Sequence, residues 1–268
     1  SAMCETSPIS RDLIEKWKTQ DPFINGLVGV VERDEEVKAL LEMSNINAVS
    51  RLGYNDHGPV HARIVAGASL EIFSLLLKKN IEPTTLTQGT TKNMEEVKFI
   101  LVMASYLHDV GNSVHREYHE ALGSVLAKDI VDRIVQRVFP NIGIRRYFLR
   151  QEILSAIFST EMNTKPLTLE ASIVKLADGL DMSEGRARLP YKMGKVDMHS
   201  LSALNVRRVQ ITCDEKTPIV VQVFLGDMAG FFQVEKVLLP KLENSKMRGM
   251  VRIDIFDLWN NKVFNVSV

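Results

Sequence analysis

The stretch MEEVKFILVMASYLHDVG, residues 94–111, restricts the fold of this chain more than any other. It is apolar nearly all round at helical spacing, and such a helix is stable only when other elements cover every side of it. A core built around one central helix is therefore expected. That helix ends in His108 and Asp109, an imidazole and a carboxylate carried into the interior by an apolar scaffold. A buried carboxylate is costly unless it is paired or binds a cation.

The surrounding sequence supplies the covering helices, with a helical pattern from about residue 8 to residue 200. DEEVKALLEMSNINAVSRLG begins at a capping Asp34 and repeats apolar residues at helical intervals. DHGPVHARIVAGASLEIFSLLLKKN opens with Pro59 in a first-turn position, with Asp56 or His57 as the cap. EYHEALGSVLAKDIVDRIVQRVF is amphipathic and must stop near Pro140. RRYFLRQEILSAIFSTE and LTLEASIVKLADGLD follow. Gly111 reads as the residue past the C-cap of the central helix.

After GKVDMHSLSALN the texture changes. RRVQITCD, PIVVQVFL, RGMVRIDIFD and KVFNVSV are short and β-branched or alternating, and Asn260–Asn261 suits a hairpin turn. Between the second and third lies DMAGFFQVEKVLLPKLENSK, expected as a helix kinked or shortened at Pro240. The expected fold is thus mainly α: a helical bundle over residues 3–203, then a small α+β unit of order β-β-α-β-β over residues 204–268.

Composition narrows the function classes. Formal net charge is zero, from 33 basic and 33 acidic residues, so no broad electrostatic footprint for nucleic acid is expected. The two cysteines, Cys4 and Cys213, make neither a disulfide framework nor a zinc knuckle, which favours a reducing, cytoplasmic setting. No run of membrane-span length and no signal peptide are expected, and the opening Ser1–Ala2 reads as an expression scar before Met3.

Three of the six histidines, His108, His115 and His119, fall within YLHDVGNSVHREYHE, and His57 and His61 lie about fifty residues upstream. His61 shares a helical face with Ile64, Val65 and Ala68; His119 with Leu122, Gly123 and Leu126; Asp178 with Ala171 and Val174. A lone histidine on an apolar face is usually a satisfied core residue. Asp178 and Asp181 read alone are partners for Lys175 and Arg186. The conjunction of inward imidazoles and carboxylates on separate helices instead suits a divalent metal.

The ordered set HARIV, YLHDVGN and IVKLADGLD resembles the HD-domain metal-dependent phosphohydrolases over roughly residues 50–190. The resemblance implies an HD-type all-helical bundle in which His61, His108, Asp109 and Asp178 hold one metal (manganese, iron, nickel, zinc or magnesium). Binuclear members add two histidines. HEALGSVLA supplies the first as His119, whereas SAIFSTE places Ser159 and Thr160 where the second would stand, so one site is favoured over two. The implied reaction is hydrolysis of a phosphomonoester or phosphodiester by metal-activated water. In that picture Asp109 is both ligand and catalytic group. Lys175, Arg116 and Arg186 bind substrate phosphate, with Arg63 and Arg188 as weaker candidates, and His115 protonates the leaving group. Asp56, Asn112 and Glu120 are near enough to support the imidazoles.

The expected partner is a phosphorylated small molecule or nucleotide. Nucleic acid is disfavoured, no membrane is involved, and a homodimer is the default assembly. The competing reading is a regulatory HD-fold module that binds a metal and a phosphorylated ligand without turning it over.

Overall fold

The computed structural model describes residues 4–182 and 205–268. Helices α1 (Leu13–Gln20), α2 (Pro22–Arg33), α3 (Glu35–Asn45), α4 (Pro59–Lys78), α5 (Thr84–Thr87), α6 (Met94–Leu107), α7 (His119–Val138), α8 (Arg145–Phe158) and α9 (Leu169–Leu180) form the bundle. Helix α6 is the central one. Every residue from Phe99 to Leu107 is buried, and α2, α4, α5, α7, α8 and α9 pack around it.

Local chemistry sets the boundaries. Asp34 caps α3 by accepting from the Val37 N–H at 3.0 Å, and Asn93 caps α6 by accepting from the Glu96 N–H. The pattern that begins at Asp34 does not continue as one α-helix. It widens into a π-helical turn at Ile46–Arg51, whose Asn47 Nδ2 donates to the Asn112 carbonyl at 2.7 Å. Helix α4 has Gly58, not Asp56 or His57, at its N-cap position. Asp56 accepts from the Gly58 N–H at 2.7 Å, and His57 turns into the core.

Helix α4 also corrects the expectation that no segment is long and apolar enough to span a membrane. Within its 20 residues an 18-residue window reaches a mean hydropathy of 1.5. In the fold, 72% of that window is buried, against α1, α6 and α9. Its apolarity is accounted for by a core position.

The C-terminal unit is built on a five-stranded sheet of order β1-β2-β3-β4-β5. Strands β2 (Val206–Thr212), β3 (Ile219–Leu225), β4 (Val251–Phe256) and β5 (Lys262–Ser267) come from the C-terminal region, and β1 (Ser7–Pro8) from the N-terminus. Only the β3–β4 pair is parallel, with Val221 opposite Ile253. Between them the chain makes a π-helical turn, Gln233–Leu238, then a short helix, Leu239–Glu243. Pro240 therefore starts a helix, where its missing N–H costs nothing. The expected boundary near residue 203 lies outside the described residues.

The N-terminal strand corrects the reading of the cysteines. Ser7 pairs with Ile211, which carries Cys4 to Cys213, and the two form a disulfide with Cα atoms 5.4 Å apart. The bond spans 209 residues of sequence. Nearby, Ser7 Oγ donates to the buried Glu71 Oε1 at 2.7 Å, tying the strand to α4.

Gly111 serves the fold differently from the C-cap role expected of it. It lies in a 3₁₀ turn, Val110–Ser113, packed against the start of α7. A Cβ there would stand 1.8 Å from the His119 carbonyl oxygen and 2.7 Å from the Gly123 nitrogen. Both obstacles are backbone, so nothing can rotate away. Gly111→Ala is expected to cost about 3 kcal/mol or more in denaturant unfolding. Gly123→Ala, whose Cβ meets nothing closer than 3.3 Å, is expected to be clearly milder. Equal costs would show that the Gly111 contact relaxes.

Candidate metal centre

Three elements bring the site together. Helix α4 supplies His61; the turn after α6 supplies His108 and Asp109; α9 supplies Asp178. Asp109 sits at φ −102°, ψ 0°, a sparsely occupied backbone region that separates its side-chain direction from that of His108. All except Asp178 are buried, and Asp178 is nearly so.

The donor atoms converge. His61 Nε2 lies 2.9 Å from Asp178 Oδ1, 3.2 Å from His108 Nε2 and 3.4 Å from Asp109 Oδ2. His108 Nε2 lies 3.3 Å from both Asp109 Oδ2 and Asp178 Oδ1. A point equidistant from three atoms so spaced, His61 Nε2, His108 Nε2 and Asp178 Oδ1, lies roughly 2.0 Å from each as corners of a tetrahedron, or roughly 2.3 Å at adjacent octahedral positions, the range of bonds from nitrogen and oxygen to divalent ions, and Asp109 Oδ2 stands 3.4 and 3.3 Å from the two ring nitrogens. The residues present therefore fit a divalent metal.

The outer contacts fix the tautomers. His61 Nδ1–H donates to Asp181 Oδ2 at 2.7 Å, and His108 Nδ1–H to the Ser105 carbonyl at 2.7 Å. Each ring thus presents its Nε2 lone pair to the centre, as ligating histidines do. Asp181, read in sequence as a partner for Lys175 or Arg186, instead orients His61. Two imidazole lone pairs 3.2 Å apart among two carboxylates call for a positive charge between them.

The same demand appears in the proton affinities. Burial alone pushes the His108 imidazole down, but the Asp109 and Asp178 carboxylates outweigh it and raise its pKa to about 10. Burial raises Asp109 and Asp178, yet both are held well below the usual carboxylate range, Asp109 chiefly by His108 and His57, Asp178 chiefly by Lys241 and His108.

Two of these partners were not among the residues expected at the site. His57 Nδ1–H donates to Asp109 Oδ2 at 2.8 Å, and His57, His61 and Asp109 form a second possible metal-holding group. Lys241, from the C-terminal unit, places Nζ 3.0 Å from Asp178 Oδ2. Gly179 admits its stem: a Cβ at that position would meet Lys241 Cδ at 2.8 Å.

The remaining expected residues separate into those at the centre and those away from it. His119 reaches it: its Nε2 is 3.6 Å from Asp109 Oδ1 and 3.2 Å from Glu120 Oε2. Arg116 reaches it too, with Nη1 3.4 Å from His57 Nε2 and 3.3 Å from Asn112 Oδ1. His115 does not; it lies exposed, its Nδ1 accepting from the Glu117 N–H at 3.0 Å. Lys175 is buried, and its ammonium donates to the carbonyls of Glu161 (2.8 Å), Thr164 (2.7 Å) and Met162 (3.3 Å). It organises that loop. Burial, then the neighbouring Lys241, lowers its pKa to about 8. Arg63 pairs with Glu32 and Glu15, away from the centre. Thr160 Oγ1 donates back to the Ile157 carbonyl and Ser159 Oγ to the Ser155 carbonyl, so both hydroxyls cap α8. Arg186 and Arg188 lie outside the described residues.

Against known proteins, the HD domain family model matches residues 65–183, a span that contains His108, Asp109, His119 and Asp178 and begins just after His61. The chain is 39% identical over 221 residues to the uncharacterized protein MJ1020 of Methanocaldococcus jannaschii, covering 82% of this chain and 84% of that one. No solved structure matches it.

Two measurements follow from the electrostatics. His108 has a folded pKa of about 10, above its unfolded value, so its contribution to metal-free stability is complete below about pH 6.5 and is lost as pH rises toward 10. Loading Mn²⁺ at pH 8 should therefore release about one proton per site, read by an indicator dye in weak buffer; no release would show that His108 is already neutral. Lys241→Met leaves Asp178 buried without its cation and is expected to cost about 3 kcal/mol in the metal-free protein, with part recovered on adding Mn²⁺. An unchanged metal-free melt would show that Asp178 does not depend on Lys241.

Proposed function

This chain belongs to the HD-domain family, and from that premise we propose that it is a metal-dependent phosphohydrolase acting on a phosphoester of a small metabolite or nucleotide. The observation that carries the reading is the convergence of His61 Nε2, His108 Nε2, Asp109 Oδ2 and Asp178 Oδ1, with both rings held Nε2-inward by Asp181 and Ser105. These four residues would hold one divalent ion. Such an ion lowers the pKa of bound water and polarises a phosphoryl oxygen.

The chain's own groups then have distinct tasks. Asp109 offers Oδ2 to the metal-binding set while His57 Nδ1–H steadies that same oxygen. Its Oδ1 receives a hydrogen bond from Asn112 Nδ2 at 3.3 Å and faces His119, where it can accept a proton from an attacking water. Arg116 supplies a guanidinium beside the cluster to offset charge that develops on the phosphoryl group. Its other face meets Tyr54, with the guanidinium carbon 5.2 Å from the ring centre, and Tyr54 is 40% exposed, which marks the approach side. Lys175 is left out of the substrate set because its donors serve the Glu161–Thr164 loop.

One observation favours the regulatory alternative. The hydroxyls of Ser159 and Thr160 are turned back onto α8 and provide no further ligand. A module with one metal and a phosphorylated ligand, but no turnover, would have such a site.

The deciding experiment uses bis-p-nitrophenyl phosphate and p-nitrophenyl phosphate with Mn²⁺, beside Asp109→Ala. Hydrolysis that needs the metal and falls by on the order of 10² or more in the variant supports the enzyme. Hydrolysis that survives in Asp109→Ala removes Asp109 from the mechanism. A metal-dependent thermal shift without product from any phosphoester tried favours the regulatory reading.

A further inference from the structure

One face of the centre gathers three acceptors around a single guanidinium nitrogen. His57 and His119 both donate through Nδ1–H, to Asp109 Oδ2 and to the Arg116 carbonyl, so both present Nε2 as acceptors. Those two nitrogens and Asn112 Oδ1 surround Arg116 Nη1 at 3.4, 3.5 and 3.3 Å. Asp109 Oδ1 and Glu120 Oε2 stand next in line, 3.6 and 3.2 Å from His119 Nε2. A guanidinium nitrogen has two N–H groups, and each of the three contacts is long for a hydrogen bond. Two imidazoles and an amide oxygen surround the guanidinium nitrogen, with two carboxylates beside one of those imidazoles, and donors of these types are ones a small divalent cation takes.

We propose that Arg116 is the built-in occupant of a second cation site, and that its guanidinium, in place of a second metal, keeps the centre mononuclear. The inference rests on the metal-binding reading of His61, His108, Asp109 and Asp178 and concerns a different set of atoms. Asp109 joins the two: Oδ2 faces the first set and Oδ1 the second. Removing the guanidinium while keeping the acceptors would open a site for Mn²⁺ between His57, His119 and Asn112. A fixed positive charge 3.4 and 3.5 Å from the two imidazole nitrogens otherwise repels an incoming ion.

Arg116 lies at the half-buried edge of the turn, so its truncation leaves the core packing of α6 and α7 intact. The test is equilibrium dialysis against Mn²⁺ followed by elemental analysis, on the parent, Arg116→Ala, Arg116→Lys and the double variant Arg116→Ala/His119→Ala, with thermal melts confirming the fold. The expected result is one equivalent in the parent, two in Arg116→Ala, and one in both Arg116→Lys and the double variant. One equivalent in Arg116→Ala overturns the inference and leaves the first site standing. Two equivalents in the parent overturn it as well, since the guanidinium then excludes nothing. No metal in either the parent or Arg116→Ala overturns the metal-binding reading and this inference together.

Discussion

The ionised carboxylate of Asp109, buried at the end of the most apolar helix, is the constraint on which the rest of the structure depends. Its desolvation has to be offset by partners drawn from separate parts of the chain. His57 arrives from the turn before α4, His61 from α4 itself, His108 from the adjacent residue and Asn112 from the following turn. Each partner needs its own support, which is why the network continues outward to Asp181 and to Ser105. The close approach at Gly111 belongs to the same requirement. Only a turn without a side chain lets α7 come near enough for His119 to face Asp109.

Asp178 shows how the C-terminal unit enters this network. One of its oxygens turns toward the histidines and the other toward Lys241, which reaches across the bare surface of Gly179. The hydrophobic core is also continuous from the bundle into the sheet, with Ile173 and Leu176 of α9 in the same cluster as Leu238 and Leu242. The appended unit therefore shapes the centre as well as packing beside it.

What the sequence revealed depended on how local each signal was. The central helix was legible because its apolarity runs all the way round, and the inward placement of His61, His108, Asp109 and Asp178 was legible because each interrupts an apolar helical context. His57 was hidden by its place before Pro59, where a capping role accounts for it equally well. Lys241 was hidden because its partner is 63 residues away and a lysine on an amphipathic segment is ordinarily solvated. One helical turn before Asp178, Lys175 suggests a shared cavity, while the carbonyls of the Glu161–Thr164 loop, invisible to periodicity, hold its ammonium. The disulfide was missed because β1 has two residues, one of them proline, and too short a strand carries no alternation.

That short strand has a consequence for the order in which the molecule can assemble. Ser7 and Pro8 are synthesised some two hundred residues before their partners, Gln210 and Ile211. That edge of the sheet can therefore close only after the helices between β1 and β2 have been made. Contacts of such sequence separation carry a large loop-closure cost and form late on any route. The bridge from Cys4 to Cys213 converts that late, weak pairing of two residues into a permanent seam. The seam keeps β1 beside the end of β2 even when the short strand frays.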